Sequence, residues 1–153
     1  TTIYFDSDHA HDQKTRRSIT GIIAFIGSTP VTWASKRQGA IATSTYTAEL
    51  CAGRTAAEEA ISIRYMLRSL GVPVTTRTLL LGDNLGSLQS TSNPGSECHK
   101  KHSMVNYHCV RECCASGIIQ LAKVDTKLNL SDGFTKAIEK SIYLDHRRCH
   151  FAA

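Results

Sequence analysis

Four carboxylates stand at the ends of predicted strands, on an interior helix face or at a helix start: Asp6, Glu49, Asp83 and Asp132. If four such groups converged, they would repel one another and some would be protonated. Divalent cations remove this conflict, and Mg²⁺ binds through a few carboxylates, waters and substrate phosphates. Two such ions about 4 Å apart can activate water and stabilise the leaving oxygen in phosphodiester hydrolysis. That chemistry needs no separate protein nucleophile.

Two of the carboxylates follow predicted strands. Residues 79–81 are a short leucine run that stops at Asp83, which is typical of a central strand buried on both faces. The β-favouring residues 1–5 likewise end at Asp6. Open α/β sheets bind ligands at the carboxyl ends of such strands. Taken alone, however, Asp83 could equally end its strand or cap the next helix.

The third carboxylate lies in a helix predicted over residues 46–70, with Ser44 or Thr45 as its N-cap and Gly71 after its end. Its apolar residues recur at helical steps: Ala52, Ala56, Ala60, Ile63, Leu67 and Leu70. One step back along this stripe lies Glu49, so a carboxylate faces the sheet, where an unpaired charge is costly to bury. We expect a cation or metal to hold it there, the alternative being a shift in helix phase.

The position of Asp132 in the sequence says less about its role than the positions of the other three acids. It lies in residues 130–136, which are predicted to begin a final helix, and a negative charge in a first turn interacts favourably with the helix dipole. Because this is also an ordinary place for a structural aspartate, position alone assigns it no role.

The other elements position these groups. After the first strand, residues 21–27 and a strand beginning at 31–33 are joined by short connections, which favours an antiparallel meander. The long helix then forms a crossover, so that the strand ending at Asp83 lies parallel to the first strand, with Asp6 beside Asp83. The pattern continues with a short helix over 84–91, a helix over 103–116 ended by Gly117, and a fifth strand over 118–124.

Composition indicates one α/β domain. The 153 residues are 41% hydrophobic, which is enough for a core, and they contain neither a membrane-spanning apolar run nor a signal peptide. We assign residues 1–140 to the domain and leave 141–153 as a tail of open structure. The chain begins directly with a strand, which suggests a piece of a larger polypeptide. The six cysteines show no disulfide framework, so a reducing compartment is expected, and the net charge of +5 favours an anionic partner such as nucleic acid.

Several short segments form a pattern that is highly specific in its order and spacing. They are residues 4–8 (YFDSD), 16–21 (RRSITG), 33–38 (WASKRQ), 44–45 (ST) with 47–49 (TAE), 83–84 (DN), 101–102 (KH), 107–112 (YHCVRE) and 130–136 (LSDGFTK). Over nearly its whole length the chain resembles the ribonuclease H domain at the end of the polyprotein of copia-type LTR retrotransposons. The resemblance implies a five-stranded mixed sheet, with three antiparallel and two parallel strands, flanked by helices.

The resemblance also implies a function. An endonuclease of this kind hydrolyses the RNA strand of RNA/DNA hybrids during reverse transcription, with two Mg²⁺ ions, or Mn²⁺ as a substitute. The implied catalytic and metal-binding residues are Asp6, Glu49, Asp83 and Asp132. Asp8 competes with Asp6, which we favour because it directly follows the apolar strand. The expected partner is the reverse transcriptase domain of the same polyprotein, without a membrane, in a cytoplasmic virus-like particle.

Basic residues would hold the hybrid by its backbone without reading sequence. The candidates are Arg16, Arg17, Lys36, Arg37, Lys100 and Lys101, together with Asn84. The chain departs from the family pattern at His9, where Trp is common, and at Leu50, where Tyr is usual, but neither change removes a carboxylate. Residues 125–129 also lack the histidine that cellular ribonucleases H often carry before the last acid.

Two alternatives remain open. The fold could persist as a non-catalytic nucleic-acid-binding platform, although such a domain would not need a sheet-facing Glu49. A structural zinc site is suggested by a cluster of potential ligands: Cys98, His99, His102, His108, Cys109, Cys113 and Cys114. This cluster has no Cys-x-x-Cys pair. Because helical spacing puts Cys109 and Cys113 on one face, small buried cysteines are the favoured interpretation.

Overall fold

The computed structural model describes residues 1–12, 14–84, 86, 91 and 103–151, without the side chains of 149–151. The strands are β1 Thr2–Asp8, β2 Ile19–Ile26, β3 Thr29–Arg37, β4 Thr78–Gly82 and β5 Ile119–Lys123. The helices with described bounds are α1 Thr45–Ser69, α2 Met104–Ala115 and α3 Lys140–Phe151. Two 3-10 turns, Thr126–Leu128 and Asp132–Phe134, lie between β5 and α3. Most of the short helix predicted over residues 84–91 falls outside the described residues.

The strands form one sheet in the order β3-β2-β1-β4-β5. β1 and β3 both pair antiparallel with β2, whereas β4 pairs parallel with β1 and with β5. The predicted five-stranded mixed sheet is therefore confirmed. Because α1 carries the chain from β3 back to β4, the two central strands run the same way and their carboxyl ends meet at one edge.

β1 is longer than the sequence predicts. It continues through Asp6 to Asp8, with Asp6 opposite Gly21 and Asp8 opposite Ile19. The prediction that the strand ends before Asp6 is wrong, because β2 extends far enough to pair with the polar residues as well as the apolar ones. The reason given for favouring Asp6 over Asp8 is therefore wrong too, and the choice between them depends on their contacts.

The main core lies between the sheet and α1. Ala52, Ala56 and Ala60 are completely buried, and they pack in one cluster with Ile3 and Leu80 of the central strands. Alanine lets the helix approach the sheet closely, and burial of this apolar face is the main stabilising contribution. The predicted stripe is confirmed here.

The predicted stripe is wrong at its last member. Leu70 is 71% exposed, because α1 ends at Ser69 and Gly71, with a φ of 76°, turns the chain away. β4 also differs from its prediction. Leu80 is fully buried but Leu79 and Leu81 are only half-buried, because α1 covers one face of the sheet more completely than the segment after β5 covers the other.

The segment after β5 differs most from its prediction. Residues 130–136 form a single 3-10 turn rather than the start of an α-helix, and the helix begins only at Lys140. Residues 141–153, left open by the sequence, lie mostly within α3. His146 of this helix is buried, and its Nε2 lies 2.9 Å from the carbonyl oxygen of Lys127. The last helix therefore packs back against the chain after β5.

Candidate active site

The parallel pairing of β1 with β4 positions the first two acids. Tyr4 lies opposite Leu81, and two further residues along this register bring Asp6 beside Asp83. Asp6 is 3% exposed, whereas Asp83 is half-buried just after the end of β4. The predicted neighbourhood of Asp6 and Asp83 follows directly from the crossover through α1.

Asp132 reaches the same edge through the 3-10 turn, which packs against β2 at Gly21. A Cβ atom at Gly21 would lie 2.8 Å from both the carbonyl oxygen of Ser131 and Cγ2 of Thr135, so only glycine permits this approach. The buried amide of Asn129 anchors the turn from the other side. Its Nδ2 donates to the carbonyl oxygen of Phe5 at 3.2 Å, and its Oδ1 accepts from the Ser131 hydroxyl at 2.7 Å.

The result is a cluster of three carboxylates. One oxygen each from Asp6, Asp83 and Asp132 lies within 4.8 Å of the others. Among the described residues, no other set of three or more potential metal-ligating side chains comes this close together. Asp8 lies outside this set and instead contacts His11, whose Nδ1 is 2.5 Å from its Oδ2.

Glu49 lies beside the cluster on α1 and is 3% exposed, so its predicted sheet-facing orientation is confirmed. The Ser7 hydroxyl donates to its Oε1 at 2.9 Å, while Oε2 is buried and has no hydrogen-bond partner in the described part of the chain. Burial raises the pKa of Glu49 to about 8, and the negative charges of Asp6 and Asp83 add to this effect. Glu49 is thus electrostatically coupled to the cluster although it is not one of the three clustered residues.

The two buried aspartates show the same electrostatic strain. Burial raises the pKa of Asp6 to about 6, against the hydrogen bond from Thr135, and the charges of Asp132 and Asp83 raise it further. Burial also raises the pKa of Asp132, against its hydrogen bond with Lys136. Each group is therefore easier to protonate than an exposed aspartate, first because burial disfavours its charged form and then because neighbouring acids repel that charge.

Two residues of this site were not among those predicted from the sequence. The Thr135 hydroxyl donates to Oδ2 of Asp6, and Lys136 places its Nζ 3.0 Å from Oδ2 of Asp132 and 3.9 Å from Oδ2 of Asp6. Both belong to the segment 130–136 used for the resemblance. The spacing of four between Asp132 and Lys136 was the available signal, since side chains at that spacing meet on a helical turn.

The donor set suits a hard divalent cation. Carboxylate oxygens are the ligands that Mg²⁺ prefers, and a cation would offset their mutual repulsion. Two buried oxygens also lack a hydrogen-bond partner among the described residues, Oε2 of Glu49 and Oδ1 of Asp132. Buried acceptors without donors fit a site that binds cations, because a cation can satisfy them.

The candidate nucleic-acid contacts surround this edge. β2 and β3 pair so that Ile19 lies opposite Arg37 and also opposite Asp8, at the carboxyl end of β1. The basic pairs 16–17 and 36–37 therefore lie at the same edge of the sheet as the acids. Arg37 forms an ion pair with Asp12 at 2.9 Å, and Asn84 is half-buried next to Asp83. Lys100 and Lys101 lie outside the described residues.

The zinc alternative gains no support from the described part of the chain. Cys98, His99 and His102 lie outside it, and the described members of that cluster form no group of three ligands. Cys113 is buried in the main core, and Cys114 packs against it. These contacts agree with the interpretation of small buried cysteines.

Solved structures with similar folds include several ribonucleases H. The enzyme RNase H1 from Halobacterium salinarum superposes with a TM-score of 0.66 at 15% identity, over 88% of this chain and 92% of that one. LC11-RNase H1 in complex with an RNA/DNA hybrid gives 0.65 at 11% identity, over 88% of this chain and 92% of that one. The chain has a ribonuclease H fold.

One viral structure and two sequence relatives are also similar to this chain. The foamy viral protease-reverse transcriptase in complex with an RNA/DNA hybrid matches 88% of this chain and 19% of its own length, with a TM-score of 0.61 at 15% identity. The Arabidopsis thaliana Pol polyproteins from transposons RE1 and RE2 are 29% and 28% identical over 92% and 95% of this chain. The chain spans about 10% of either polyprotein, and no family model matches it.

The resemblance stated from the sequence is confirmed, since the relatives are retrotransposon Pol polyproteins and the structural neighbours are ribonuclease H domains. In the described part of the chain, no helix combines the length and the apolar character that crossing a membrane requires.

Proposed function

We propose that this chain is a metal-dependent endonuclease that hydrolyses the RNA strand of RNA/DNA hybrids. The observation that carries the proposal is the convergence of Asp6, Asp83 and Asp132 within 4.8 Å, beside the buried Glu49, on a ribonuclease H fold. Retrotransposon Pol relatives support a role in reverse transcription, with the reverse transcriptase domain of the same polyprotein as partner. We also propose that the chain acts within a virus-like particle in the cytoplasm.

Asp6, Asp83, Asp132 and Glu49 are the residues that would hold two Mg²⁺ ions, with Mn²⁺ as a substitute. Such ions, when bound, supply an activated water and stabilise the charge on the leaving oxygen. The protein's own contribution is to hold the four carboxylates in place before substrate arrives. Ser7 orients Glu49 by a hydrogen bond of 2.9 Å, and Thr135 orients Asp6. Ligands fixed in this way lose little freedom on binding.

The basic residues at the same edge would bind the sugar–phosphate backbone. Arg16 and Lys36 are exposed there, Arg17 is half-buried, and Arg37 is fixed by its ion pair with Asp12. Contacts of this type depend on phosphate charge rather than base sequence, so we expect affinity for the hybrid to fall steeply with added salt. Discrimination between hybrid and DNA duplex would rest on the 2′-hydroxyl groups.

The test is cleavage of a hybrid labelled on its RNA strand, with and without Mg²⁺, by the wild-type chain and by Asp83→Asn. The substitution keeps the size of the side chain but removes its charge. We expect cleavage to fall by roughly 100-fold or more, because charge stabilisation by metal ions is worth several kcal/mol.

Asp145→Asn is the matched control. Asp145 is an exposed residue of α3 that pairs only weakly with Arg148, at 3.4 Å, so the same chemical change there should leave cleavage unaltered. Hybrid binding by the wild-type chain without any cleavage would instead favour the nucleic-acid-binding platform. Cleavage undiminished in Asp83→Asn would refute the assignment of the site.

A further inference from the structure

Lys136 is the one described basic side chain whose ion pairs reach two members of the acidic cluster. Its ammonium nitrogen lies 3.0 Å from Oδ2 of Asp132 and 3.9 Å from Oδ2 of Asp6. The side chain is 40% exposed while the two carboxylates are 7% and 4% exposed. The lysine therefore reaches from the surface inward, and its charge ends among the oxygens that are candidate ligands.

The Lys136 ammonium lies where a bound cation would be expected, and this distinguishes it from an ordinary surface ion pair. Three acids supply oxygens within 4.8 Å of one another, and the ammonium contacts two of those acids. The resulting negative charge is costly without a positive partner, and Lys136 provides one from within the chain. A divalent cation bound to Asp6 and Asp132 would lie close to the ammonium, and the two positive charges would repel each other.

We propose that Lys136 is a displaceable internal counter-ion, which neutralises Asp6 and Asp132 until a divalent cation takes its place. A lysine is suited to this role because its flexible four-carbon stem can move the charge outward without moving the backbone. The side chain is 40% exposed, which leaves a path to solvent. The inference rests on the proposed function, since the same carboxylates are taken to bind the divalent cation.

The experiment measures cation binding without any hybrid. The melting temperature of the chain is followed as Mg²⁺ is added at low ionic strength, after treatment with a chelator and its removal. Wild type is compared with two neutral variants, Lys136→Met and Lys136→Gln, and with the charged variant Lys136→Arg. Lys140→Met is the matched control, because Lys140 is another exposed lysine close in sequence and takes no part in the cluster.

Two results are expected from the neutral variants. Without Mg²⁺ they melt below wild type, because the carboxylates have lost their counter-ion. The Mg²⁺ concentration for half-maximal stabilisation falls by roughly threefold or more, a modest factor because solvent screens a partly exposed charge. Lys136→Arg keeps a midpoint close to that of wild type, and so does Lys140→Met.

The proposal is overturned by a midpoint that is unchanged or higher in both neutral variants. An equal shift in Lys140→Met would also overturn it, because net charge alone would then explain the effect. So would the absence of Mg²⁺ stabilisation in every variant, wild type included. Failure of hybrid cleavage in a chain that binds Mg²⁺ with the expected midpoints would count against the proposed function and leave the counter-ion role intact.

Discussion

Asp6 and Asp12 lie close together in the sequence but in opposite electrostatic environments. Asp6 is buried in β1, and burial raises its pKa to about 6. Asp12 lies in the loop before β2, where hydrogen bonds from Thr15, and then from Arg37 and Lys14, hold its pKa well below the ordinary range. The same side chain is therefore pushed towards protonation in one place and towards ionisation in the other.

The difference lies in how completely each charge is compensated. Oδ1 of Asp12 accepts from the backbone amides of Lys14 and Thr15, and its Oδ2 pairs with Arg37 at 2.9 Å. Such a carboxylate stabilises a loop, and because its oxygens already have partners it is poorly suited to bind a ligand. Asp6 has one hydroxyl donor and an ammonium at 3.9 Å against two neighbouring acids. Incomplete compensation, rather than residue type, distinguishes the candidate metal ligand.

The contrast between Asp6 and Asp12 is tested most directly by removing each charge in turn. Asp6→Asn should lower the turnover rate for hybrid cleavage by roughly 100-fold or more, because it removes a ligand oxygen from the cluster. Asp12→Asn should leave turnover unchanged, since the described contacts of the Asp12 side chain are with its own loop and with Arg37. Turnover numbers with saturating hybrid check both. An equal loss of turnover in the two variants would mean that the different environments of Asp6 and Asp12 do not distinguish a catalytic residue from a structural one.

A second contrast concerns the pH dependence of stability in cation-free protein. The folded pKa of Glu49, about 8, lies above its ordinary value of 4.5, so the folded chain holds a proton that the unfolded chain releases. Stability contributed by this group is present below pH 4.5 and is lost as pH rises towards 8. Glu49→Gln should remove this decline, an effect on the order of a few kcal/mol.

Denaturant unfolding at a series of pH values in the presence of chelator measures this slope. Asp12 provides the opposite case, because its pKa is lowered on folding. Its contribution is present above the unfolded pKa and lost in acid, so Asp12→Asn should flatten only the acid side of the profile. A wild-type profile that stays flat from pH 5 to 8 would contradict the environment assigned to Glu49.

A smaller effect is expected from the contact that brings Asp132 to the cluster. In Gly21→Ala the new methyl group would meet Ser131 and Thr135 at 2.8 Å, so the turn that carries Asp132 must move. We expect a loss of about 1–3 kcal/mol in the free energy of unfolding, as overpacking usually costs, together with weaker Mg²⁺ binding.

Gly39→Ala is the control for that substitution, because a Cβ at Gly39 would meet no atom of the described residues within 4 Å. Thermal melts with and without Mg²⁺ compare the two variants. If Gly21→Ala kept wild-type stability and Mg²⁺ response, the close packing of the turn on β2 would be unimportant for the site.

Much of the fold could be predicted from local patterns. The stripe of alanines predicted the buried face of α1, and the leucine run predicted the strand β4, although only Leu80 of its three leucines is buried. The same stripe predicted a buried Glu49, because one helical step leads from Ala52 to it. The errors occurred where contacts with neighbouring elements, rather than the local sequence, determine the secondary structure. β1 continues through Asp8 because β2 pairs with it, and residues 130–136 form a 3-10 turn because they pack on β2 at Gly21.

The sequence by itself determined which residues are acidic, which elements carry them and which helix face is buried, because these depend on residue type and on spacing within one element. Only the tertiary structure decided that three acids lie within 4.8 Å of one another and that the Lys136 ammonium lies between two of them. Those distances depend on contacts between β1, β4 and a turn far away in the chain. No pattern within a single element encodes them.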